Sequence, residues 1–434
     1  MWAYSVDMID IRTIRENPEL IKASQRARRD DETLVDLILA TDEKRRRALQ
    51  EFEDARAEQK ALSRTVGKVS PEERKSVLER AKQLSTRVKT LEAASAAANE
   101  EFMKAMYRLP NPIEEGVPEG GEDDYTVVKK VGTLRDFAAE GFEPKDHLDV
   151  AEGIDAVDMA RGTKVSGSRF YYLKGLGARL ELALLTAAAD QAQDAGFTML
   201  TTPTLVNPDI MGGTGFLGAH SDEIYYLPTD DLYLTGTSEV ALAGYHKDEI
   251  LDLSAGPKRY MGWSTCYRRE AGSYGKDTRG IIRVHQFNKA EMFSYCDPAQ
   301  AREEHERFLA WEEEMIARVE LPYRVICTAA GDLGSSAAKK YDCEAWLPTQ
   351  NRYMEITSTS NCTTFQARRL NIRFRTENGT TPAATLNGTL ATTRWLVAMF
   401  ENHQQPDGSL YIPKALRPYM GGREVIEPVA AGHR

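Results

Sequence analysis

Arginine and carboxylate side chains are concentrated in two short stretches of the chain, on either side of a loop. The first stretch contains Arg268 and Glu270, and the second contains Arg283, Phe287 and Glu291. Guanidinium groups match phosphate oxygens, and a carboxylate can accept a hydrogen bond from an amino group. If these side chains share one surface, that surface is suited to a phosphate-bearing ligand beside an aromatic ring.

The second stretch has the alternating pattern of a β-strand, which we expect to span residues 281–295. Successive side chains of a strand point to opposite faces. Arg283, Phe287 and Glu291 would therefore share one face, and apolar residues such as Val284 would lie on the other.

A β-rich run over residues 255–269 precedes this strand and is expected to pair with it. Arg268 and Glu270 have the same parity, and a loop over residues 271–280 would return the chain to Arg283. Two arginines and two carboxylates would then converge on one sheet surface. The alternative is that these charged side chains form the solvated face of an edge strand.

The segments around these strands predict an α+β domain. Helical periodicity is present over residues 180–195 and 301–318, and a further β-rich run covers residues 352–358. We expect the strands to be mostly antiparallel.

The first hundred residues have a different pattern. Apolar and small residues recur at alternating steps of four and three over residues 77–109, and over residues 34–66 with three polar interruptions. This spacing predicts the seam of a coiled coil. Between the two segments Gly67 is a helix stop and Ser70 an N-cap, so we expect an antiparallel helical hairpin over about residues 30–108.

The hairpin is expected to form an elongated arm, because helices of some 35 residues would be roughly 50 Å long. A polar stretch rich in Gly and Pro follows Leu109 and continues to about residue 124. Such a stretch is typical of a domain boundary. We therefore expect an N-terminal domain over residues 1–112 and a second domain over residues 113–434.

The composition excludes several classes of protein. Of the 434 residues, 41% are hydrophobic and 28% charged, which is typical of a globular chain, and no apolar run approaches the roughly 20 residues of a membrane span. Residues 26–110 carry 19 basic and 16 acidic residues (+3), but the net charge of the chain is −10, so we expect no DNA partner. The five cysteines include no CxxC pair, which argues against structural zinc and favours a cytoplasmic protein.

Several segments resemble the class II aminoacyl-tRNA synthetases, and specifically the seryl-tRNA synthetase family. The stretch from Tyr267 to Ser273, followed by the stretch from Arg283 to Glu291, is similar to motif 2 of that class. The other matching segments are residues 235–239, residues 355–369 and a motif 3 over residues 385–394. The likeness runs nearly end to end, from Met8 to Tyr419.

The resemblance implies a fold, an activity and partners. The fold would be a class II antiparallel-sheet catalytic domain preceded by a tRNA-binding coiled-coil arm. The activity would be the ATP-dependent conversion of L-serine to seryl-adenylate, followed by transfer of serine to tRNA(Ser) and also to tRNA(Sec). Magnesium would accompany ATP, and a homodimer would form near Pro203, at the motif 1 position.

The resemblance also implies roles for individual residues. Arg268 would bind the α-phosphate of ATP, Glu270 the adenine amino group and Arg283 the outer phosphates. Phe287 and Arg394 would stack on the two adenine faces. Glu355 and Ser358 would lie at the magnesium ion, and the further ATP-binding residues would be Arg269, Val284, Ile356 and Thr357.

Catalysis would rest on Arg268, Arg283 and Arg394, without a side-chain general base. The residues implied around serine are Thr237, Ser238, Glu239, Glu291, Asn387 and Thr389. Motif 3 is shorter here than in many members of the family, and Thr389 stands where they have serine. A threonine keeps the hydroxyl group.

Basic residues of the arm would contact tRNA phosphates, which positions RNA rather than reads its bases. These residues are Arg45, Arg46, Arg56, Lys60, Arg64 and Lys68. The alternative is that they are ordinary solvated charges of an exposed coiled coil.

Three other functions are compatible with parts of the pattern. One is a duplicated copy of the same enzyme that resists a seryl-nucleotide antibiotic. Another is an enzyme that forms seryl-adenylate and loads an acceptor other than tRNA. The third is a non-catalytic RNA-binding paralogue, which should have lost Arg268, Glu270, Glu355 or Arg394, and all four are present.

Overall fold

The computed structural model describes residues 11–65, 70–218, 221–271, 277 and 279–429. The described chain divides into two compact units, one that ends at Pro112 and one that begins at Ile113. The predicted fold class is confirmed, because a long helical hairpin precedes an α+β unit built on an antiparallel sheet.

The N-terminal unit is a helical hairpin with two short helices before it. Glu58 and Arg80 form an ion pair of 3.0 Å across the hairpin, and Lys44 and Glu101 one of 2.5 Å, as expected for antiparallel helices. The helices are α1 (Ile11–Glu16), α2 (Pro18–Ala27), α3 (Thr33–Thr65) and α4 (Pro71–Arg108).

The predicted seam and the predicted N-cap are confirmed. In α4 the seam residues Leu84, Val88, Ala98 and Phe102 are buried, while most residues between them are exposed. The Ser70 hydroxyl accepts a hydrogen bond from the third backbone N–H of α4, in a capping box. The predicted stop at Gly67 lies outside the described residues.

The second unit is built on an eight-stranded sheet in the order β1-β11-β12-β13-β16-β10-β9-β4. All neighbouring strands are antiparallel except β4 and β9, which confirms the mostly antiparallel prediction. The strands are β1 (Thr126–Val131), β4 (Thr198–Thr201), β9 (Lys258–Tyr267), β10 (Gln286–Cys296), β11 (Tyr323–Cys327), β12 (Lys339–Leu347), β13 (Arg352–Asn361) and β16 (Ala384–Thr392).

Shorter strands flank this sheet. They are β2 (Val157–Asp158), β3 (Tyr172–Leu173), β5 (Leu205–Val206), β6 (Tyr226–Leu227), β7 (Leu232–Leu234), β8 (Ile250–Leu251), β14 (Arg373–Thr376), β15 (Gly379–Pro382), β17 (Leu410–Tyr411) and β18 (Val425–Ile426).

Helices cover one face of the sheet and bury its apolar side chains. Leu184 of α7, Phe308 of α10 and Trp395 of α12 belong to the same core as Met292 of β10 and Leu386 of β16. The helices of this unit are α5 (His147–Gly153), α6 (Met159–Ser166), α7 (Gly175–Asp194), α8 (Pro208–Gly213), α9 (Glu239–Gly244), α10 (Ala301–Arg318), α11 (Phe365–Arg369) and α12 (Trp395–His403). None of the described helices has both the length and the hydrophobicity needed to cross a bilayer.

The strand limits around residues 268–285 differ from the prediction. Strand β9 ends at Tyr267 and β10 begins at Gln286, so Arg268, Glu270 and Arg283 lie beyond the strands. Glu270 has a φ of +51°, in the left-handed region that is incompatible with a strand. The backbone N–H of His285 donates to the Arg169 carbonyl at 3.2 Å, away from β9. Strand alternation therefore does not place Arg283 beside Phe287.

Candidate active site

A cavity lies at the ends of β9 and β10, over β13 and β16. The loops after β9 and before β10 contribute part of its wall. Its lining residues are Arg268, Glu270, Ile281, Ile282, Val284, Phe287, Lys289, Glu355, Ile356, Thr357, Ser358, Thr389, Thr392 and Arg394. Most of the residues assigned to ATP thus line one cavity, although they come from strands and loops far apart in the chain.

Two arginines mark the wall nearest Phe287. The Arg268 guanidinium lies over the Phe287 ring at 5.2 Å from its centroid, and Arg268 Nε donates to the Gly236 carbonyl at 3.2 Å. Arg394 stands at the start of α12 and donates to the Glu355 carbonyl at 3.4 Å. Burial lowers the pKa of Arg394 from its usual value, although the nearby Glu355 carboxylate acts in the opposite direction.

The other two predicted arginines are not among the residues that line the cavity. Arg283 Nη1 lies 3.4 Å from Glu270 Oε2, and Arg283 Nε lies 3.5 Å from Asp277 Oδ2. Arg269 packs against the Tyr225 ring at 5.9 Å. Glu270 thus lines the cavity while it is paired with an arginine at the rim.

A pair of carboxylates on neighbouring strands forms the far side of the site. Asp342 of β12 lies opposite Ser358 of β13 in the register of the sheet, and Glu355 is three residues earlier on β13. Burial and the Glu355 carboxylate raise the pKa of Asp342 to about 7, against the effect of Lys340, which lies 2.9 Å away. Although burial opposes it, Lys340 and Arg394 hold the pKa of Glu355 below its usual value.

Sequence reasoning missed Asp342. Its only signal was a charged pair, Lys340 and Asp342, inside an otherwise apolar strand. The register that places it opposite Ser358 cannot be read from the local sequence.

The implied serine residues are linked by a chain of buried hydrogen bonds. A register shift between Ala290 and Glu291 brings Thr389 opposite Glu291. Thr389 Oγ1 donates to Glu291 Oε2 at 3.0 Å, and Lys289 Nζ lies 2.7 Å from the same oxygen. Lys289 also donates to Thr237 Oγ1 at 3.0 Å. Sequence reasoning did not assign Lys289, although its parity matches that of Phe287 and Glu291.

Glu239 lies on the same side of the site, at the start of α9. It is 7% exposed and accepts a hydrogen bond of 2.7 Å from the Gln366 side-chain amide. Burial, together with the Glu291 carboxylate, raises the pKa of Glu239 to about 7. A carboxylate pair with hydroxyl groups therefore lies next to the arginine-lined wall.

The two remaining serine candidates are engaged elsewhere. The Ser238 hydroxyl donates to the Gly262 carbonyl at 3.4 Å, and the Asn387 amide donates to Cys362 Sγ at 3.5 Å. Neither residue is among those that line the cavity.

The predicted tRNA-contacting residues of the arm fall into three groups. Arg45 and Arg46 both pair with Asp42, at 2.9 and 3.0 Å, and Arg45 lies in the seam over the Phe102 ring. The side chains of Arg56, Lys60 and Arg64 are exposed on α3. Lys68 lies outside the described residues.

The sheet and the cavity define a class II aminoacyl-tRNA synthetase. Residues 226–403 match the family model described as the tRNA synthetase class II core domain (G, H, P, S and T). Residues 8–113 match the model of the seryl-tRNA synthetase N-terminal domain.

Individual relatives agree with both models. The chain is 64% identical over 416 residues to the serine–tRNA ligase of Beutenbergia cavernae, covering 96% of this chain and 98% of that protein. The seryl-tRNA synthetase of Pyrococcus horikoshii, solved in complex with ATP, is similar with a TM-score of 0.89 and 39% identity, over 98% of this chain and all of that one (100%). The cytoplasmic serine–tRNA ligase of Naegleria fowleri, solved with AMP, gives a TM-score of 0.87 and 32% identity, over 98% and 99%.

The chain belongs to the seryl-tRNA synthetase family, and its activity is that of a serine–tRNA ligase. The predicted family and enzyme class are confirmed. The comparisons give no support to a non-tRNA acceptor, a resistant duplicate or a non-catalytic paralogue.

Proposed function

We propose that the cavity binds ATP and L-serine side by side and joins them as seryl-adenylate. The serine carboxylate attacks the α-phosphorus, the bond to the β-phosphate oxygen breaks, and pyrophosphate leaves. The seryl group then passes to the terminal ribose of tRNA(Ser). The observation that carries the proposal is that the Arg268–Phe287 wall and the Glu291–Thr389 pair line the same cavity.

We assign the nucleotide to the wall formed by Arg268, Phe287 and Arg394. The adenine stacks between the Phe287 ring and the Arg394 guanidinium, and Arg268 binds the α-phosphate. A cation and an aromatic face both suit a nucleobase. Val284, Ile356 and Thr357 line the same space.

We further propose that Arg283 and Glu270 exchange partners when ATP binds. Their 3.4 Å separation is long for a charge-assisted hydrogen bond, so their contact is weak. Outer phosphates would draw Arg283 away, and Glu270 would accept from the adenine amino group. Arg269, packed on Tyr225, would contribute through its backbone or not at all.

We propose Glu355 and Ser358 as the residues that hold magnesium with ATP. Carboxylate and hydroxyl oxygens are the hard ligands that this ion prefers. The lowered pKa of Glu355 keeps its carboxylate ionised, as a ligand must be. When bound, the ion supplies positive charge to the outer phosphates.

Side-chain proton transfer is not needed for adenylation. The serine carboxylate is already a nucleophile, so the site has to align it and to neutralise the charge that develops on phosphate oxygens. Arg268, Arg283 and Arg394 supply that charge. We propose no general base.

The serine side of the site binds one ammonium and one hydroxyl group. We propose that Glu291 and Glu239 accept from the ammonium, and that Thr389 and Thr237 bind the hydroxyl and carboxylate groups. Ser238 and Asn387 would support the pocket from behind through their bonds to Gly262 and Cys362. Loss of the hydroxyl would leave buried polar groups unpaired, so alanine should be rejected by as much as roughly 10⁴-fold.

We propose that the arm binds tRNA(Ser), and tRNA(Sec) as a second acceptor. The exposed side chains of Arg56, Lys60 and Arg64 can reach phosphates directly. Arg45 and Arg46 are held by Asp42, which is 1% exposed, so they would act chiefly by keeping the hairpin in shape.

We also propose a cytoplasmic homodimer. Strand β4 is an edge of the sheet, and exposed apolar side chains lie on it and near it, including Met199 (45% exposed), Leu205 (42%) and Leu182 (54%) of α7. Covering such a patch with a second copy would bury apolar area. All five cysteines are buried and unpaired, which suits a reducing compartment.

The test combines two assays on the full-length protein. Serine-dependent ATP–pyrophosphate exchange reports adenylate formation, and charging of tRNA(Ser) and tRNA(Sec) transcripts reports transfer. We expect exchange with serine but not with alanine, and charging of both transcripts. Absence of serine-dependent exchange in the folded protein would overturn the proposed site.

A further inference from the structure

Lys289 is a buried lysine between the nucleotide side and the serine side of the cavity. It is 7% exposed, and it lines the same space as Phe287 and Thr389. A buried ammonium is costly unless acceptors surround it. Its printed acceptors are both residues that we assign to serine, Glu291 at 2.7 Å and Thr237 at 3.0 Å.

These contacts fix the direction of the hydrogen bonds at Thr237. Its Oγ1 accepts from Lys289 Nζ and, at 3.2 Å, from the backbone N–H of Glu239. A hydroxyl group has two acceptor positions and one proton. With both acceptor positions used, the Thr237 proton is the part of the group that remains for a ligand, and it can only donate.

The same lysine fixes which oxygen of Glu291 a ligand can use. Oε2 accepts from both Lys289 and Thr389, at 2.7 and 3.0 Å. Oε1 is therefore the acceptor left for an ammonium group. Because Thr389 donates its proton to Glu291, its oxygen is left to accept from a substrate hydroxyl.

The charge of Lys289 also separates two acids. Glu239 and Glu291 face each other closely enough for Glu291 to raise the pKa of Glu239, and Lys289 acts in the opposite direction. The other charged or titratable groups that interact with Lys289 are Glu312 of α10, Glu355 of β13 and Cys266 of β9. Without the ammonium, two carboxylates would remain in one pocket, and one of them would bind a proton more readily.

We propose that Lys289 is the positioning residue of the serine pocket: its ammonium sets Thr237 as a donor and Glu291 as an acceptor for the substrate. The inference rests on the proposed function of the same cavity and adds the group that arranges it. It predicts that Lys289 governs serine binding more than ATP binding.

The experiment compares Lys289→Met with Lys289→Arg in the full-length protein by serine-dependent ATP–pyrophosphate exchange. Methionine keeps the length of the side chain and removes its charge and donors, and arginine keeps both. Loss of a charged hydrogen bond at a buried site corresponds to roughly 10- to 100-fold. We expect the serine KM of Lys289→Met to rise by about that factor while the ATP KM changes by less than about threefold.

A second readout separates positioning from mere structural support. Without the lysine charge, the acidic limb of the serine KM profile should move to higher pH, and preference for serine over alanine should fall. Lys289→Arg should recover most of both. Lys129→Met is the matched control, since Lys129 pairs with Glu313 at 2.8 Å on β1, outside the cavity, and it should leave both KM values unchanged.

Each outcome decides. A folded Lys289→Met enzyme with a serine KM within about twofold of wild type would overturn the inference, as would equal rises of both KM values. If the methionine variant does not fold, Lys289→Gln, which keeps one donor without the charge, takes its place with the same criteria. Failure of the wild-type enzyme to exchange with serine would instead contradict the proposed function, so the two failures remain distinct.

Discussion

The side-chain amide of Gln366, on α11, donates a 2.7 Å hydrogen bond to the buried carboxylate of Glu239, at the start of α9. Gln366 is itself held by Thr385, whose hydroxyl donates to the Gln366 amide oxygen at 2.7 Å. This chain of bonds leaves Glu239 in place whether or not it is ionised. Its charge can therefore change with pH while the pocket keeps its shape.

Serine binding should weaken as the pH falls below about 7. Burial and Glu291 raise the pKa of Glu239 to about 7, so the carboxylate that would pair with the serine ammonium is neutral in more acidic solution. We expect the serine KM to rise by up to about tenfold per pH unit below that value, and the ATP KM to rise less. Exchange assays between pH 6 and 8.5 measure both. A flat serine KM across this range would show that Glu239 does not bind the ammonium.

Glu239→Gln should make the protein more stable and less active. The pKa of Glu239 is raised on folding from 4.5 to about 7, so the folded state binds this proton more tightly. The resulting stabilisation is complete below pH 4.5 and is lost as the pH rises through 7, which amounts to roughly 3 kcal/mol. Glutamine keeps the acceptor for Gln366 without the charge. Denaturant unfolding should show the variant gaining on wild type as the pH rises from 5 to 8, while serine-dependent exchange falls.

The arm could be predicted from the sequence, and the wall of the cavity only in part. The α4 seam depends on local spacing, and Leu84, Val88 and Phe102 are buried as predicted. The loops around Arg268 and Arg283 were assigned to strands because their residues alternate. Hydrogen bonds to distant partners, such as that from the Arg269 backbone to Glu223, end the strands instead.

The linked network of the serine pocket was beyond local reasoning for a different reason. Lys289 has the right parity, but its partners Thr237 and Glu291 are 52 and 2 residues away in the sequence, and only the fold brings Thr237 to it. The pairing of Thr389 with Glu291 likewise depends on a register shift between two strands. Family resemblance supplied these residues without supplying their contacts.

Adjacent arginines of motif 2 should differ strongly in their effect on adenylation. Arg268 lies over Phe287 and lines the cavity, whereas Arg269 packs on Tyr225 and is not among the lining residues. Loss of a guanidinium that stabilises charge in the transition state costs about 10²- to 10³-fold in rate. We expect Arg268→Gln to lose exchange by at least that factor, and Arg269→Gln to remain within a few-fold of wild type. Equal losses would place both side chains on the nucleotide.

Gly388 of motif 3 should not tolerate a methyl group. A Cβ at this position would lie 2.9 Å from Phe308 Cδ1, 3.0 Å from Glu312 Oε1 and 3.2 Å from Thr359 Oγ1. Overpacking of this kind typically costs about 1–3 kcal/mol, and it would press on the neighbouring Thr389.

Gly388→Ala should therefore lower the free energy of unfolding by that amount and raise the serine KM. The control is Gly153→Ala at the end of α5, where nothing lies within 4 Å of the new methyl group. That variant should be as stable as wild type or more stable, because alanine is the better helix former. A Gly388→Ala protein with unchanged stability would mean that the neighbouring side chains have room to move.

The exposed basic side chains of α3 should contribute to charging and not to adenylation. Arg56, Lys60 and Arg64 would each neutralise a tRNA phosphate, and a phosphate contact releases a counterion, so affinity falls with salt. Replacing all three by alanine should raise the tRNA KM, flatten its dependence on salt by about two to three contacts, and leave serine-dependent exchange unchanged.

Deleting residues 30–108 should extend this result to loss of charging with exchange retained. The matched control for the triple variant is Lys104→Ala, which removes a lysine paired with Glu100 at 2.6 Å on α4. A triple variant that charges tRNA with wild-type KM and salt dependence would show that these charges are only the solvated face of the coiled coil. Loss of exchange in a well-folded deletion would show that adenylation depends on the arm.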